Sequence, residues 1–226
     1  MVVVSSGEWS AVSGKLVAEK IKLNAYDNTL LKEMGGLRGK EILDYGSGPG
    51  VFASVLAAKG ASAKCFDISA QLRRECGEKL GTQNVIEKAS AIPSGFFDCV
   101  VCNLVMCIVD EAEVKRIAGH IRRSLKPDGI AYIGFCNPRI YDLPESQLDF
   151  RFPTGSSYRE NHEYLKVKKE GNYEIVEIHR PIEWYEKIFA EEGLKIDGII
   201  YTPEYGVSNR QIHDFIIFKT SRAETK

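Results

Sequence analysis

The chain has 226 residues, 44% of them apolar, and its 30 basic and 31 acidic residues leave a formal net charge of −1. This length and composition favour one folded domain over a disordered chain, and the near-neutral charge disfavours a protein that coats nucleic acid or an acidic membrane surface. The longest nearly apolar run, residues 99–109, contains Asn103 and falls well short of the roughly 20 residues of a membrane span. No secretory signal is recognisable, so we expect a soluble protein.

The amino-terminal segment, residues 8–36, has the apolar spacing of a helix and ends at Gly35 and Gly36. Beyond it, runs with the period of a strand alternate with runs with the period of a helix. The predicted strands are residues 41–44, 63–67, 85–87, 99–102 and 130–135, and the predicted helices are residues 49–59, 69–80 and 111–125. The last helix has an acidic start, with Asp110 before it and Glu113 three residues on. Such alternation predicts parallel strands, with a ligand at their carboxyl ends.

After Phe135 this alternation stops. The following segments read as an irregular region (136–160), a hairpin (164–168 and 173–178), a helix (182–192) and two last strands (195–200 and 214–219). The predicted fold is therefore α/β. It is a Rossmann-like, doubly wound, mostly parallel seven-stranded sheet with helices on both faces and a hairpin or loop insertion after the fifth strand.

The six cysteines lie mostly inside apolar strand or helix patterns, which favours buried hydrophobic roles over a disulfide framework. Cys99 and Cys102 have C-x-x-C spacing, but they fall in a continuous apolar strand, whereas zinc and dithiol motifs normally occupy turns or helix starts. No set of His, Asp and Glu has the spacing of metal ligands, so no metal site is predicted. This cysteine usage predicts a reduced, cytoplasmic setting.

The stretch EILDYGSGPGVF, residues 41–52, places Gly46, Gly48 and Gly50 at alternate positions between a strand and a helix. Glycines there let a ligand lie against bare main chain near a helix amino terminus. The G-x-G-x-x-G loop of dinucleotide enzymes would need its third glycine at position 51, which is Val. The pattern D-x-G-x-G-x-G that begins at Asp44 instead resembles the cofactor motif of class I S-adenosylmethionine-dependent methyltransferases, small-molecule type.

Further segments resemble that family in order and spacing. They are Asp67 at the end of the second strand, ASAIP at residues 89–93, FDCVVCN at residues 97–103 and LKPDG at residues 125–129. The resemblance implies S-adenosyl-L-methionine as cofactor, with Asp44 facing its ammonium group and Asp67 holding the ribose hydroxyls. The other contacts that the resemblance implies are Gly46, Ser47 and Gly48 for the methionine portion, Ile68, Ala89 and Ser90 for the adenine, and Asn103 and Leu104 near the sulfur. Lys88 departs from the family, where many members carry Asp, so backbone, Ser90 or Glu87 would meet the adenine amino group.

The resemblance implies one domain, residues 1–226. It would comprise a helical amino-terminal lid (1–36), a cofactor-binding half (37–135), a substrate-side insertion (136–181), and a closing helix with the last strands (182–226). Tyr26 and Asp27 are candidates for the lid.

The acceptor is expected above the strand ends, against the insertion and the first helix. His162 and His179, near the ends of the predicted hairpin, are the candidate catalytic residues, as acid–base groups or substrate contacts. His120 is expected to face solvent. The turn after Asn103 lacks the Pro-Pro-Tyr-like and Pro-Cys patterns of nucleic-acid methyltransferases. The predicted function is therefore methyl transfer to an O or N atom of a small molecule.

Two alternatives remain open from the sequence. An NAD-dependent oxidoreductase would share the glycine loop and Asp67, and a non-catalytic S-adenosylmethionine-binding protein would need no catalytic base. The expected partner is the small-molecule acceptor, with no nucleic acid and no membrane, in a monomer or homodimer.

Overall fold

The computed structural model describes residues 2–4, 9, 22–140, 149–168, 172–207 and 209–223. Much of the predicted amino-terminal helix, residues 10–21, lies outside the described residues. The described remainder is helical, because a π-helical stretch, Lys22–Asp27, continues into helix α1, Asn28–Met34. This helix ends at Gly35, as predicted, where φ is +64° and glycine is favoured. The sequence pattern does not predict the first strand, β1, Val2–Val4.

Strands and helices alternate from residue 41 onward. In chain order, the elements up to the end of the predicted alternation are β2 Glu41–Tyr45, α2 Val51–Ala58, β3 Ser62–Phe66, α3 Ala70–Leu80, β4 Phe97–Asn103, α4 Glu111–Ser124 and β5 Leu125–Cys136. After them come β6 Asp149–Arg151, β7 His162–Lys168, β8 Tyr173–His179, α5 Ile182–Glu191, β9 Leu194–Tyr201, β10 Tyr205–Val207, β11 Arg210–Ile212 and β12 Phe215–Arg222.

The central sheet has the strand order β3-β2-β4-β5-β12-β9. Strands β2 to β5 are parallel, while β12 runs antiparallel to both β5 and β9. Successive residues of β2 enter opposite cores: Leu43 packs with residues of α4 and α5, and Ile42 packs with residues of α1 and α2. The prediction of a Rossmann-like, mostly parallel sheet with helices on both faces is therefore confirmed.

The predicted count of seven strands is wrong, because the described residues form a six-stranded central sheet. Residues 85–87, predicted as a short strand, contribute only an isolated parallel bridge between Val85 and Cys65. Short 3-10 turns, Thr82–Asn84 and Ala89–Ala91, lie on both sides of this segment and leave no length for a ladder. All six cysteines are free and buried, as their apolar surroundings predict.

Strands β6, β7 and β8 form a second, antiparallel sheet, which β1 joins in the order β1-β8-β7-β6. The predicted hairpin is confirmed, and it extends back to His162, which pairs with His179. Alternation along β7 directs Tyr164, Lys166 and Lys168 to one face, and all three are buried. The inner face of the hairpin therefore carries charged side chains.

Strand β8 is attached to the loop between β4 and α4. Ile178 N donates a hydrogen bond to Cys107 O at 2.6 Å. The buried Arg180 guanidinium donates to Met106 O at 2.8 Å and to Val109 O at 2.6 Å. These bonds hold the inner face of the hairpin above the carboxyl end of β4.

The amino terminus of α4 has the side-chain cap that the sequence predicts. Asp110 Oδ1 accepts a hydrogen bond from Glu113 N at 2.8 Å. We expect Asp110→Ala to lower the free energy of unfolding by about 1 kcal/mol, since an orphan helical N–H loses its acceptor. Asp110→Ser, which keeps a capping oxygen, should lose much less. Urea unfolding of the cofactor-free variants measures the difference, and equal losses for both substitutions would show that the cap does not stabilise α4.

Candidate active site

A cavity of about 680 Å³ opens at the carboxyl ends of β2, β3 and β4. Its opposite wall is the inner face of the hairpin, where Lys166, Lys168, Tyr173, Ile175 and Glu177 line it. The volume lies within the roughly 300–1,000 Å³ typical of small-ligand sites. The prediction that the ligand site lies at the carboxyl ends of the strands therefore agrees with the position of this cavity.

The three glycines of the loop between β2 and α2 all have backbone conformations that favour glycine. Gly46, Gly48 and Gly50 have φ of +77°, +54° and +76°. A Cβ atom at Gly46 would clash with Val105 Cγ2, and one at Gly50 would lie 2.7 Å from Cys76 Sγ. Gly48 has open space where its Cβ would be. The loop thus presents bare main chain to the cavity, as the sequence predicts.

Two carboxylates lie on either side of this loop, and both line the cavity. Asp44 is 3% exposed, near the end of β2. Asp67 directly follows β3, and its Oδ2 accepts from Gly48 N at 2.9 Å while its Oδ1 accepts from Ser69 N at 2.8 Å. Burial raises the pKa of Asp67 above its usual value, although these backbone donors oppose the shift. Asp67 therefore both fixes the glycine loop and lines the cavity.

An apolar surface follows Asp67. The Ile68 side chain is 75% exposed and lines the cavity, so it offers an uncovered face to a flat ring. Ala89 lines the same region, together with Glu87 and Lys88, whereas Ser90 does not line it. The predicted contact between Ser90 and adenine therefore stays a prediction.

Arg73, on α3, is a site residue that the motif does not indicate. Its guanidinium donates to Asp67 O at 2.7 Å and to Ile68 O at 3.0 Å, and it pairs with Glu87 at 3.2 Å. It therefore connects the two loops that border the predicted adenine site. Its position in the predicted helix, six residues after Asp67, is the feature of the sequence that could have indicated a site residue.

Asn103, the last residue of β4, lines the cavity beside Leu104. Its Oδ1 accepts from the hydroxyl of Tyr26, which is fully buried against the bare backbone of Gly134. Its buried Nδ2 has no hydrogen-bond acceptor among the described residues. A bound ligand that presents an oxygen would satisfy this donor. Asp27, proposed with Tyr26 as part of a lid, also lines the cavity.

His120 departs from its predicted place in solvent. Its ring is half-buried and lines the cavity, with Nδ1 3.0 Å from the Tyr45 hydroxyl. Burial, followed by the charge of Arg123, lowers the pKa of His120 and so favours the uncharged ring. The prediction was wrong because charged sequence neighbours indicate an exposed flank, whereas Tyr45 on the adjacent strand supplies a polar partner.

The two predicted catalytic histidines lie together but outside this cavity. The rings of His162 and His179 stack with centroids 4.8 Å apart. His162 Nδ1 lies 2.9 Å from Glu160 O, and His179 Nε2 lies 2.9 Å from Tyr158 O. His179 borders a separate cavity of about 20 Å³. The acid–base role of both residues stays a prediction.

The hairpin instead contributes a polar cluster, Tyr164, Lys166 and Glu177, which the sequence pattern alone does not indicate. Lys166 is 1% exposed, and its Nζ lies 3.3 Å from Glu177 Oε1 and 2.8 Å from Cys136 Sγ. The Tyr164 hydroxyl donates to Glu177 Oε2. The alternation of residues 164–168 could have identified which side chains share one face of the strand. It could not have identified the residues that this face contacts.

S-adenosylmethionine fits these residues on three observations. Gly48 has open space that the methionine portion could occupy, the buried Asn103 Nδ2 has no acceptor among the described residues, and Ile68 is exposed and lines the cavity with Ala89. The buried carboxylates of Asp44 and Asp67 match an ammonium group and ribose hydroxyls. Of the residues predicted to bind cofactor, Ser90 is the one that does not line the cavity.

The chain matches the family described as methyltransferase domain over residues 19–178. It is similar to a ubiquinone biosynthesis O-methyltransferase of Vibrio parahaemolyticus, at 27% identity over 78% of this chain and 74% of the relative. It is also similar to a demethylmenaquinone methyltransferase of Tropheryma whipplei, at 27% identity over 74% of this chain and 82% of the relative.

A solved structure has the same fold. The crystal structure of an S-adenosylmethionine-dependent methyltransferase from Mesorhizobium loti superposes with a TM-score of 0.61 and 16% identity, over 87% of this chain and 95% of that one. The family match decides against an NAD-dependent oxidoreductase. The chain belongs to the methyltransferase domain family and is an enzyme that uses S-adenosylmethionine as its methyl donor.

Proposed function

We propose that the enzyme transfers the methyl group to a ring hydroxyl of a small molecule. This proposal rests on the side chains that line the acceptor side of the cavity. There Trp9, Tyr173, Ile175 and Ile108 pack together as an aromatic and aliphatic wall, and all four line the cavity. Such a wall suits a flat apolar ring, and the nearby Glu177 suits a hydroxyl. The similarity to two methyltransferases named for ubiquinone and demethylmenaquinone supports a ring-bearing acceptor.

In this proposal the residues at the strand ends hold the cofactor. Asp44 binds the ammonium group, the loop at Gly46, Ser47 and Gly48 lies along the methionine portion, and Asp67 accepts from the ribose hydroxyls. The remaining contacts are Ile68, Ala89 and Ser90 at the adenine and Asn103 and Leu104 near the sulfur. The cofactor, when bound, supplies an electrophilic methyl group on a positively charged sulfur. The protein's part is to align the acceptor oxygen with that methyl and to exclude water.

We propose that the segments of the chain have the separate functions that the family resemblance implies. Residues 37–135 form the cofactor-binding half, the described parts of residues 1–36 and 136–181 cover the acceptor side, and the described parts of residues 182–226 close the sheet. The positions of Trp9, Asp27 and the hairpin on the cavity support this division. The described helices include none long and apolar enough to span a bilayer. A monomer or homodimer in a reducing cytoplasm, without nucleic acid as substrate, agrees with the net charge of −1 and the free cysteines.

A methyl-transfer assay tests the acceptor class. The purified enzyme would be incubated with methyl-labelled S-adenosylmethionine and, in separate reactions, catechols, monophenols, primary amines, total RNA and a mixture of unmodified proteins. We expect label in a phenolic or catecholic product, identified by mass as a methyl ether. Label that enters the amines, RNA or proteins but no hydroxyl compound would contradict the proposal.

A further inference from the structure

We propose that Glu177 is the catalytic base, whose carboxylate accepts the proton of the acceptor hydroxyl during methyl transfer. This inference rests on the proposed function, because it requires a hydroxyl acceptor. It names a residue on the hairpin, outside the motifs that bind cofactor.

The position of Glu177 supports this role. The side chain is 2% exposed to solvent, yet it lines the main cavity on the inner face of β8. The next residue, Ile178, is hydrogen-bonded to Cys107 O, and Arg180 holds Met106 O and Val109 O. The loop thus attached begins directly after Asn103, at the end of β4 that is assigned to the reacting methyl. Glu177 therefore faces the part of the cavity in which the acceptor must lie for methyl transfer.

Two donors hold the Glu177 carboxylate in position. Lys166 Nζ lies 3.3 Å from Oε1, and the Tyr164 hydroxyl donates to Oε2. Lys166 in turn lies over the rings of Phe215 and Phe150, with centroid distances of 5.7 and 6.0 Å. Because each carboxylate oxygen can accept more than one hydrogen bond, these contacts leave Glu177 able to accept from a ligand.

The other carboxylates of the cavity are less suited to the role. Asp44 and Asp67 are assigned to the cofactor. Glu87 pairs with Arg73, Glu113 pairs with Arg116, and Asp110 caps α4. Asp27 is the remaining buried acid on the cavity wall, so it is the natural comparison.

Methyl transfer to the hydroxyl makes one bond to the methyl carbon and breaks one. A lone pair of the acceptor oxygen forms a bond to the methyl carbon, and the carbon–sulfur bond breaks with its electron pair remaining on sulfur. The O–H proton passes to Glu177, and the electron pair of that bond stays on oxygen. The products are a methyl ether, a neutral thioether and a protonated Glu177 carboxyl group.

Acceptor acidity provides the test. Catechol carries its hydroxyl protons at neutral pH, whereas 4-nitrocatechol has one hydroxyl that already ionises near neutrality. We expect Glu177→Gln to lower kcat/KM for catechol by about 10²- to 10⁴-fold at neutral pH, the usual contribution of a general base. For 4-nitrocatechol the loss should stay below about tenfold, since no base is needed. With catechol, the variant's rate should rise with pH as the acceptor ionises, and a structural defect would not produce this dependence.

Matched controls separate the outcomes. Glu174→Gln removes a buried carboxylate from the same strand that pairs with Arg151 and does not line the cavity, so it should leave both acceptors unaffected. Calorimetric binding of S-adenosylhomocysteine should be unchanged in Glu177→Gln. If that variant does not fold, Glu177→Asp, which keeps the charge but withdraws the carboxylate, should show a smaller loss with the same preference for 4-nitrocatechol.

Equal losses with catechol and 4-nitrocatechol, or a selective loss in Asp27→Asn and not in Glu177→Gln, would overturn the assignment of Glu177 alone. If the unmodified enzyme methylates no hydroxyl compound, the proposed function fails and this inference falls with it.

Discussion

Replacing Gly46 with alanine is expected to weaken S-adenosylhomocysteine binding by about thirtyfold or more. The residue has φ of +77°, and its Cβ would clash with Val105 Cγ2. The left-handed strain costs roughly 1–2 kcal/mol and the overpacking about 1–3 kcal/mol. In the free variant the loop can relax away from the clash. Ligand binding must then return the loop to its native conformation, which costs about 2 kcal/mol or more. This cost reduces the binding free energy and raises the Kd.

Isothermal titration calorimetry of the purified variant measures this effect, and two further variants identify its cause. Gly39 has the same φ of +77° but no atom within 4 Å of its Cβ position. Gly39→Ala therefore introduces backbone strain at a position outside the glycine loop, and this variant should bind the ligand normally. The double variant Gly46→Ala, Val105→Ala removes the clashing methyl and should recover part of the affinity. Wild-type binding by Gly46→Ala would refute the claim that the ligand lies on this main chain.

Replacing Asp67 with alanine is expected to weaken cofactor binding by about 1.5–3 kcal/mol, or roughly ten- to 150-fold. The carboxylate would accept charge-assisted hydrogen bonds from the ribose, and it also fixes the glycine loop through Gly48 N. Calorimetry with S-adenosylhomocysteine measures the change. Asp128→Ala, at an exposed position near the start of β5, is the control and should bind normally.

A ligand that lacks the ribose hydroxyls separates the two roles of Asp67, its contact with the ribose and its hydrogen bond to the glycine loop. The unmodified protein should prefer S-adenosylhomocysteine to its 2′,3′-dideoxy analogue, and Asp67→Ala should bind both with nearly equal affinity, as a double-mutant cycle requires for a direct pair. Retained discrimination in the variant would place the ribose contact elsewhere.

The cofactor side of the site could be predicted because its signals are local. A buried strand, alternate glycines and a following helix pattern fix both the loop at Gly46 and the position of Asp44. Asp67 comes at the end of the next strand, and parallel pairing of β2 with β3 brings the two acids to one edge. The seventh strand was wrongly predicted because the apolar residues Val85 and Ile86 indicate a strand, but two flanking turns stop its pairing.

The acceptor side could not be predicted because its geometry depends on long-range contacts. Alternation in β7 places Lys166 on one face, but whether that face meets solvent or protein depends on Arg180 attaching β8 to the loop after β4. His120 shows the same limit, since its partner Tyr45 is 75 residues away in sequence. His162 and His179 are adjacent through strand register, and neither lines the main cavity.

The most direct test of this account is a calorimetric titration of the unmodified chain with S-adenosylhomocysteine and, separately, with NADH, each to near-millimolar concentration. We predict saturable one-to-one binding of the sulfur nucleoside and no heat of binding from the nicotinamide. Binding of NADH, or no binding of S-adenosylhomocysteine, would contradict the assignment of the cavity.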